Sequence, residues 1–281
     1  MANQALEVIK TISASDGVQL EYEVLGEGEP LVLLHGVFAG RGAFSRQRDF
    51  ADRYRLILPS FRGHDNSGKD LPTGYGIATS ELRDLCSVLD AEGVQRCHLI
   101  GHSSGGAVAF AFARSFPTRV ERLVLIEPSV FGILHGPERE AIAATLGTFI
   151  EAGRVEGDLA GLRTVLAYMG GEAWATLEDA KREARLQAMA PMGHLTAPHF
   201  QALLDFQVTD ADVKDLPTPT LLIYGGASYA FQRHMAGRFC ELRPDWPLVI
   251  IEGAGHNSFR EKPALVNDAI ENFISEGVAG P

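Results

Sequence analysis

Acidic residues are missing from one stretch of the chain: residues 221–240 contain no aspartate or glutamate. A basic surface is also lacking, because 36 acidic residues outnumber 25 basic ones and give a net charge of −11. That balance disfavours a nucleic-acid partner. No apolar run approaches the roughly 18 residues that a membrane span requires. The start, MANQALEVIK, lacks the basic-then-apolar pattern of a secretory signal. We therefore expect neither nucleic acid nor membrane as a partner.

Cysteine is scarce, with only Cys86, Cys97 and Cys240 in 281 residues. An odd number of scattered cysteines is typical of reduced thiols, which predicts a cytoplasmic protein. None of the three has the spacing of metal ligands, and the nine histidines contain no HExxH pair. The sequence therefore predicts no metal site.

Short apolar runs alternate with helical patterns along most of the chain. The candidate strands are Leu31–Gly36, Arg55–Pro59, Cys97–His102, Arg122–Pro128, Thr220–Gly226 and Pro247–Gly253. Their solid apolar content suits strands that are buried on both faces. The earlier run LEYEV is typical of an antiparallel edge strand. This order predicts an α/β fold, with a mostly parallel sheet and helices on both of its faces.

One segment interrupts the alternation. Residues 129–212 contain no convincing strand and only helical patterns, such as EREAIAATLGTFIEAG. A segment of this length is too long for a structureless loop. We expect it to form an inserted helical cap, or lid, while residues 1–128 and 213–281 together form the sheet domain.

The motif G-x-S-x-G occurs from Gly101 to Gly105, within LIGHSSGG. It follows a candidate strand and precedes a helix of small residues, which is the context that places a nucleophilic serine on a sharp turn. The register selects Ser103, since Ser104 would need a glycine where His102 stands. The alternative is an ordinary glycine-rich turn, but both flanks favour a nucleophile.

A second strand ends in His35-Gly36, within LLHGVFAG. The backbone N–H groups of Val37 and Ser104 can then form an oxyanion hole beside the nucleophile. We interpret His35 itself as structural. Gly40-Arg41-Gly42 also permits a dinucleotide-binding loop, but the third glycine position is a serine and the next strand ends without an acid.

A histidine, His256, follows the last candidate strand within EGAGHNSF. The order of serine first and histidine last is the one expected when such a sheet carries a catalytic serine. A neutral imidazole there can accept the proton of Ser103 and return it to the leaving group. The alternative is a solvated loop histidine.

These motifs resemble those of the α/β-hydrolase family, in its order and spacing, over essentially the whole chain. The resemblance implies the α/β-hydrolase fold and hydrolysis without a cofactor. Two positions depart from the family pattern. Where members often have D-x-R-G-x-G-x-S, this chain has SFRGHDNS, with Ser60 for the aspartate and Asp65 for a glycine. Where members often have G-x-x-D, it has Ser228.

Glu127, at the end of LVLIEP, is the candidate for the missing acid. Its strand end neighbours the nucleophile strand, and a subset of the family, including haloalkane dehalogenases and zearalenone-type lactonases, resembles this arrangement. The alternative is a carboxylate that simply leaves the strand into solvent. Asp245 lies at the wrong end of the last strand, and Glu252 is too near His256 in sequence. We predict Ser103, His256 and Glu127 as a catalytic triad.

A serine nucleophile disfavours dehalogenase and epoxide-hydrolase chemistry, which need a carboxylate, and favours acyl transfer to water. The expected substrate is a small-molecule carboxylic ester or lactone, and the protein is a monomer or homodimer. A C–C bond hydrolase and a slow or non-catalytic small-molecule receptor remain as alternatives; a cofactor-free lyase or oxygenase has no residue in its favour. The candidate substrate-binding residues are Phe38, Trp174 and Met189, with Tyr168, Met169 and Met192 as further pocket residues. Packing between cap helices is the alternative role for the cap residues.

Overall fold

The computed structural model describes residues 7–275. They contain one eight-stranded sheet in the order β1-β2-β4-β3-β5-β6-β7-β8. The strands are β1 Val8–Ser13, β2 Gln19–Leu25, β3 Glu29–Leu34, β4 Tyr54–Pro59, β5 Cys97–His102, β6 Val120–Ile126, β7 Thr220–Gly225 and β8 Leu248–Ile251.

The sheet is parallel from β4 to β8 and antiparallel at its other end, where β2 pairs with both β1 and β4. The predicted mostly parallel sheet is therefore confirmed. The prediction that LEYEV forms the edge strand was wrong, because β1 lies outside β2. The sequence does not predict strand β1, because it contains no continuous apolar run. Two of its apolar residues, Val8 and Ile9, are exposed.

Ten α-helices accompany the strands in the described part of the chain. They are α1 Leu82–Ala91, α2 Ser104–Ser115, α3 Gly136–Glu151, α4 Asp158–Ala175, α5 Asp179–Met189, α6 Thr196–Asp205, α7 Asp210–Lys214, α8 Ala230–Leu242, α9 Ser258–Glu261 and α10 Pro263–Ser275. None of these helices is long and apolar enough to cross a membrane.

Strand β3 shows why the central strands are apolar throughout. Val32 and Leu34 pack with residues of α1, α2 and α8 on one face of the sheet. Leu31 and Leu33 pack with residues of α9 and α10 on the other. Side chains alternate between faces along a strand, so a sheet that is covered on both sides needs apolar residues at every position. The exception is β8, where Leu248 and Ile250 are exposed, so the prediction that this strand is buried on both faces was wrong.

The segment between β6 and β7 is helical and contains α3 to α7. Its buried side chains, such as Leu146, Phe149 and Val165, belong to the same apolar cluster as α1, α2 and α8. Helix α4 is interrupted at Gly171, which has φ 50° and ψ −132°. The left-handed φ suits glycine, which has no Cβ to clash there.

Candidate active site

Ser103 lies on the turn between β5 and α2 and has the strained backbone angles φ 54° and ψ −120°. The glycines on either side make this turn possible. A Cβ at Gly101 would lie 2.4 Å from the carbonyl oxygen of Gly105, and a Cβ at Gly105 would lie 2.3 Å from that of Leu34. The G-x-S-x-G spacing is thus explained by close contact of the strand end, the start of α2 and the end of β3.

The loop after β3 lies against the start of α2. The N–H of Val37 donates a hydrogen bond to the Ser104 hydroxyl oxygen at 2.9 Å. Ser104 is the first residue of α2, where backbone N–H groups have no partner within the helix. Val37 and Ser104, the two residues predicted for an oxyanion hole, are therefore in direct contact beside Ser103.

Two buried histidines support this loop. His64 Nε2 accepts the N–H of Phe38, whose φ is 63°, while His64 Nδ1 lies 3.0 Å from the Arg62 carbonyl. His35 Nε2 accepts the N–H of Phe61, and its Nδ1 lies 2.8 Å from the Gly36 carbonyl. In both rings the Nε2 lone pair must stay free and Nδ1 must carry the proton. Burial lowers the pKa of both imidazoles, so they stay neutral. His35 is structural, as interpreted from the sequence.

The two unusual residues of SFRGHDNS contact each other. The Ser60 hydroxyl donates to Asp65 Oδ2 at 2.6 Å, and the N–H of Arg41 donates to the same oxygen at 2.9 Å. Asp65 has a φ of 48°, in the left-handed region that aspartate tolerates better than most residues. Its carboxylate thus fixes the loop that continues from the oxyanion-hole residues.

His256 and Glu127 form a buried pair behind the nucleophile. His256 Nδ1 lies 2.7 Å from Glu127 Oε2, and the glutamate side chain is wholly buried. Because Nδ1 donates to the carboxylate, the lone pair of Nε2 is free to accept a proton. The backbone carbonyl of His256 accepts a hydrogen bond from His102 Nε2 at 3.0 Å, which fixes the backbone of the histidine loop.

Glu127 is held by donors from β7 and α8 as well. Its Oε1 accepts the N–H of Gly225 at 2.7 Å, and its Oε2 accepts the Ser228 hydroxyl at 2.5 Å. The amide of Gln232 donates to the Glu127 backbone carbonyl at 3.0 Å. These bonds hold a residue whose φ of 45° is costly for a glutamate. The carboxylate therefore points at His256 in a fixed orientation.

The two other late acids lie elsewhere. Asp245 forms an ion pair with Arg243 at 2.7 Å, which lowers the pKa of its carboxyl. Glu252 is exposed beside Gly226. Neither of these carboxylates contacts His256 in the described part of the chain.

The Ser103 hydroxyl lies in a cavity with His256. Its hydrogen-bond partner in this structure is the Ser129 hydroxyl, at 3.4 Å. Serine–histidine hydrogen bonds are often long in substrate-free enzymes and shorten when substrate binds. The cavity also contains Val37, so Ser103, His256 and Val37 face one space.

Most of the cavity wall is apolar and comes from the helices between β6 and β7 and from the start of α8. The lining residues are Val37, Ser103, Ser129, Phe131, Ile142, Leu146, Phe149, Val165, Tyr168, Met169, Phe200, Leu203, Tyr229, Phe231, Gln232 and His256. None of these residues is a lysine or an arginine. Within residues 7–275, no group of three or more histidine, cysteine or acidic side chains is placed to hold a metal ion.

The structure corrects the predicted substrate-binding residues. Phe38, Trp174 and Met189 do not line the cavity that contains Ser103. Phe38 is buried with its ring 6.3 Å from that of Phe200, and Met189 packs against the apolar core. Trp174 lies beyond the interruption of α4, which redirects the end of that helix. Of the further pocket residues suggested by the sequence, Tyr168 and Met169 do line the cavity and Met192 does not.

Tyr229 is a cavity residue that sequence reasoning missed. Its ring lies 5.4 Å from the His256 ring and stacks on Phe231, and its hydroxyl donates to the Met169 carbonyl at 2.9 Å. Burial raises the pKa of Tyr229 to about 12, so the phenol stays neutral. The run GGASYAF could have indicated Tyr229 as a cavity residue, because two aromatic residues lie a few positions after a strand end.

Known proteins are similar to this chain over nearly its whole length. The putative carbamate hydrolase RutD of Azorhizobium caulinodans is 26% identical over 263 residues, which cover 92% of this chain and 95% of that protein. The 2-hydroxy-6-oxo-2,4-heptadienoate hydrolase of Pseudomonas putida is 28% identical, with 91% and 92% covered. The crystal structure of esterase RhEst1 from Rhodococcus sp. ECU1013 has 26% identity and a TM-score of 0.73, with 95% and 98% covered.

A family model agrees with these relatives. The model described as the alpha/beta hydrolase family matches residues 31–269, from the start of the β3 apolar run to α10. This range includes every element that positions Ser103, Glu127 and His256. The chain belongs to the alpha/beta hydrolase family.

Proposed function

We propose that the protein is a serine hydrolase that cleaves a carboxylic ester or lactone. The observation that carries the proposal is the hydrogen bond of 2.7 Å between Glu127 and His256, in a cavity that also contains Ser103 on its strained turn. The similarity to a carbamate hydrolase and to an esterase supports acyl chemistry. We further propose that residues 129–212 act as a cap over this cavity.

In the proposed reaction, the Ser103 hydroxyl attacks the substrate carbonyl carbon while His256 Nε2 accepts its proton. Glu127 orients the imidazole and stabilises the imidazolium, without taking the proton itself. The N–H groups of Val37 and Ser104 stabilise the negative charge on the carbonyl oxygen. His256 then protonates the leaving alkoxide, and an acyl-enzyme forms on Ser103. Water, deprotonated by His256, hydrolyses that ester and restores the serine. This acyl transfer needs no cofactor.

The cavity wall favours an uncharged, apolar acyl group. The polar side chains in its lining are those of Ser103, Ser129, Tyr168, Tyr229, Gln232 and His256, and no lysine or arginine lines it. A buried carboxylate without a cationic partner is costly. The second candidate, C–C bond cleavage, is favoured by the similarity to the heptadienoate hydrolase. A dienoate, however, would bring its carboxylate into this apolar cavity, which makes the ester or lactone the better candidate.

The test is turnover of 4-nitrophenyl butyrate by the wild type, Ser103→Ala and Glu127→Gln. Ser103→Ala is expected to abolish turnover above background. Glutamine keeps the shape of Glu127 but cannot stabilise the imidazolium, so kcat should fall on the order of 10⁴-fold. Thermal melting of each variant serves as the control for folding.

Different results would contradict different parts of the proposal. Turnover by Glu127→Gln within a few-fold of wild type would show that Glu127 is not the triad acid. A wild type that is inert on a panel of esters and lactones but cleaves a vinylogous diketone would support the C–C hydrolase. Tight ligand binding without any turnover would support a receptor.

A further inference from the structure

The side chain of Ser104 contacts Val37, the other residue of the proposed oxyanion hole. Its Oγ is the atom that accepts the Val37 N–H, at 2.9 Å, in the substrate-free structure. The residue is 1% exposed, so the hydroxyl is shielded from bulk water. The site that a substrate oxygen would occupy next to Val37 is thus shared with this hydroxyl.

The proton of the Ser104 hydroxyl is not used elsewhere. Among the hydrogen bonds of residues 7–275, the Ser104 hydroxyl accepts from Val37 and donates to no group. Buried hydroxyl groups normally use their donor, because an unpaired polar hydrogen costs free energy. The backbone N–H of Ser104, at the start of α2, is likewise directed out of the helix. Two donors of one residue are therefore available at the same place.

The start of α2 packs closely against the loop after β3 around Ser104. Gly36 leaves room for Ser103, since a Cβ at Gly36 would lie 3.0 Å from the Ser103 Cβ. A Cβ at Gly105 would lie 2.5 Å from the His35 carbonyl oxygen. The start of α2 and the loop after β3 are thus in direct contact on both sides of Ser104.

We propose that the Ser104 hydroxyl is a third donor of the oxyanion hole and hence a catalytic residue. In the free enzyme its oxygen accepts the Val37 N–H. When the carbonyl oxygen of the substrate becomes negative, this oxygen accepts hydrogen bonds from the N–H groups of Val37 and Ser104. The Ser104 hydroxyl rotates so that its O–H donates a third hydrogen bond to the same oxygen. Only hydrogen bonds change in this step. The inference rests on the proposed function, because it needs an oxyanion to form on attack by Ser103.

The experiment compares the wild type with Ser104→Ala and Ser104→Cys. Both variants keep the backbone N–H; alanine removes the side-chain donor, and cysteine replaces it with a weak one of similar shape. We measure kcat and KM for 4-nitrophenyl butyrate and the Kd of phenylboronic acid, which forms a tetrahedral adduct with a reactive serine. A donor that acts only on the oxyanion changes kcat and the affinity for transition-state analogues, but not KM.

For Ser104→Ala we expect kcat to fall by about 10- to 100-fold, less than the loss of a main-chain donor, because Val37 and the Ser104 N–H remain. KM should change little, and the affinity for phenylboronic acid should fall by a factor similar to that of kcat. Ser104→Cys should be intermediate. If Ser104→Ala melts at a much lower temperature than the wild type, the kcat and boronic acid affinity of Ser104→Cys test the proposal instead.

Unchanged or increased kcat and boronic acid affinity in these variants would overturn the proposal. The hydroxyl would then only accept the Val37 N–H in the free enzyme and compete with the substrate. Ser103→Ala distinguishes this result from failure of the proposed function. If the wild type shows no turnover that depends on Ser103, the serine hydrolase proposal itself fails.

Discussion

Glu127 and Ser228 follow neighbouring strands, β6 and β7, and their side chains meet at the carboxyl edge of the sheet. The Ser228 hydroxyl and His256 Nδ1 both donate to Glu127 Oε2, at 2.5 and 2.7 Å. The position of residue 228 is therefore one from which a side chain can approach the same histidine. In chains with the G-x-x-D pattern an aspartate stands there. In the proposed triad, the acid thus comes from another position in the sequence but contacts the same histidine.

This geometry predicts that an aspartate introduced at residue 228 can replace Glu127 as the partner of His256. Ser228→Asp alone should lower the free energy of unfolding, because two contacting buried carboxylates cannot both ionise. In the Glu127→Gln background the same change should raise kcat by at least about tenfold over Glu127→Gln, since an oriented carboxylate again faces His256. Ester turnover and urea unfolding of the single and double variants check this. Ser228→Asn in the same background is the uncharged control, and equal rescue by asparagine would contradict the prediction.

Ser60 and Asp65 show a second exchange of the same kind. The aspartate that the family pattern places at residue 60 is replaced by serine, while Asp65 takes the place of a glycine. The Ser60 hydroxyl bonds the Asp65 carboxylate at 2.6 Å, so a carboxylate is again present beside the loop that begins at Gly40. Both departures from the family pattern thus keep a carboxylate near its usual place and supply it from another residue.

The sequence predicts Ser103, Val37 and His256 as site residues, because each lies in a short motif whose glycines constrain the backbone, and the structure brings all three to one cavity. Glu127 could be predicted from the absence of any other acid at the expected position. The groups that hold Glu127 in place could not be predicted. The N–H of Gly225 and the amide of Gln232 reach Glu127 only because β6 pairs with β7. A local sequence pattern does not predict such contacts between distant segments of the chain.

At the scale of whole elements, burial on both faces was predicted correctly only for the central strands. The central strands have solid apolar runs, whereas β1 and β8 lie at the edges and have exposed positions. The cavity wall was the least predictable part. Leu146, Phe149 and Phe200 have the same apolar character as residues that pack against the core, and periodicity identifies an apolar helix face without saying what the face contacts.

The contact between α2 and β3 can be tested with glycine variants. Gly105→Ala would place a methyl group 2.3 Å from the Leu34 carbonyl oxygen and separate the two elements. We expect a loss of about 2 to 4 kcal/mol in the free energy of unfolding, in the range of severe overpacking. Ester turnover should fall as well, because the oxyanion hole lies at this contact.

Gly147→Ala in α3 is the matched control, since a Cβ there meets nothing within 4 Å. Alanine favours a helix over glycine, so this variant should be as stable as the wild type or more stable by up to about 1 kcal/mol. Urea unfolding measures both variants. A Gly105→Ala protein as stable as Gly147→Ala would show that α2 and β3 are not in the described contact.

At the scale of the whole molecule, the buried histidines connect the site to the stability of the fold. His35, His64 and His102 all lie at the carboxyl edge of the sheet, and at most 4% of any of them is exposed. Burial lowers the pKa of each of them, for His64 and His102 well below its ordinary value. A proton added to His64 would place an N–H against the N–H of Phe38, which destroys the hydrogen bond that supports the oxyanion loop.

These lowered pKa values predict acid-sensitive folding. A histidine in the unfolded chain binds a proton below about pH 6.5, whereas these three stay neutral in the folded protein, so stability is full above pH 6.5 and falls as the pH decreases. From pH 7.5 to 5.5, each imidazole that stays neutral in the folded protein should lower the free energy of unfolding by on the order of 1 kcal/mol. Urea unfolding at both values measures the loss.

His64→Gln separates this contribution from that of other groups. The glutamine oxygen can accept the Phe38 N–H as His64 Nε2 does, but it does not titrate, so the loss between pH 7.5 and 5.5 should shrink by on the order of 1 kcal/mol. His234→Gln is the matched control, because His234 is exposed and forms no side-chain hydrogen bond or ion pair within residues 7–275, so its removal should leave the loss nearly unchanged. Equal losses in wild type and His64→Gln would show that His64 accepts a proton in the folded protein and that the oxyanion loop does not depend on its neutral form.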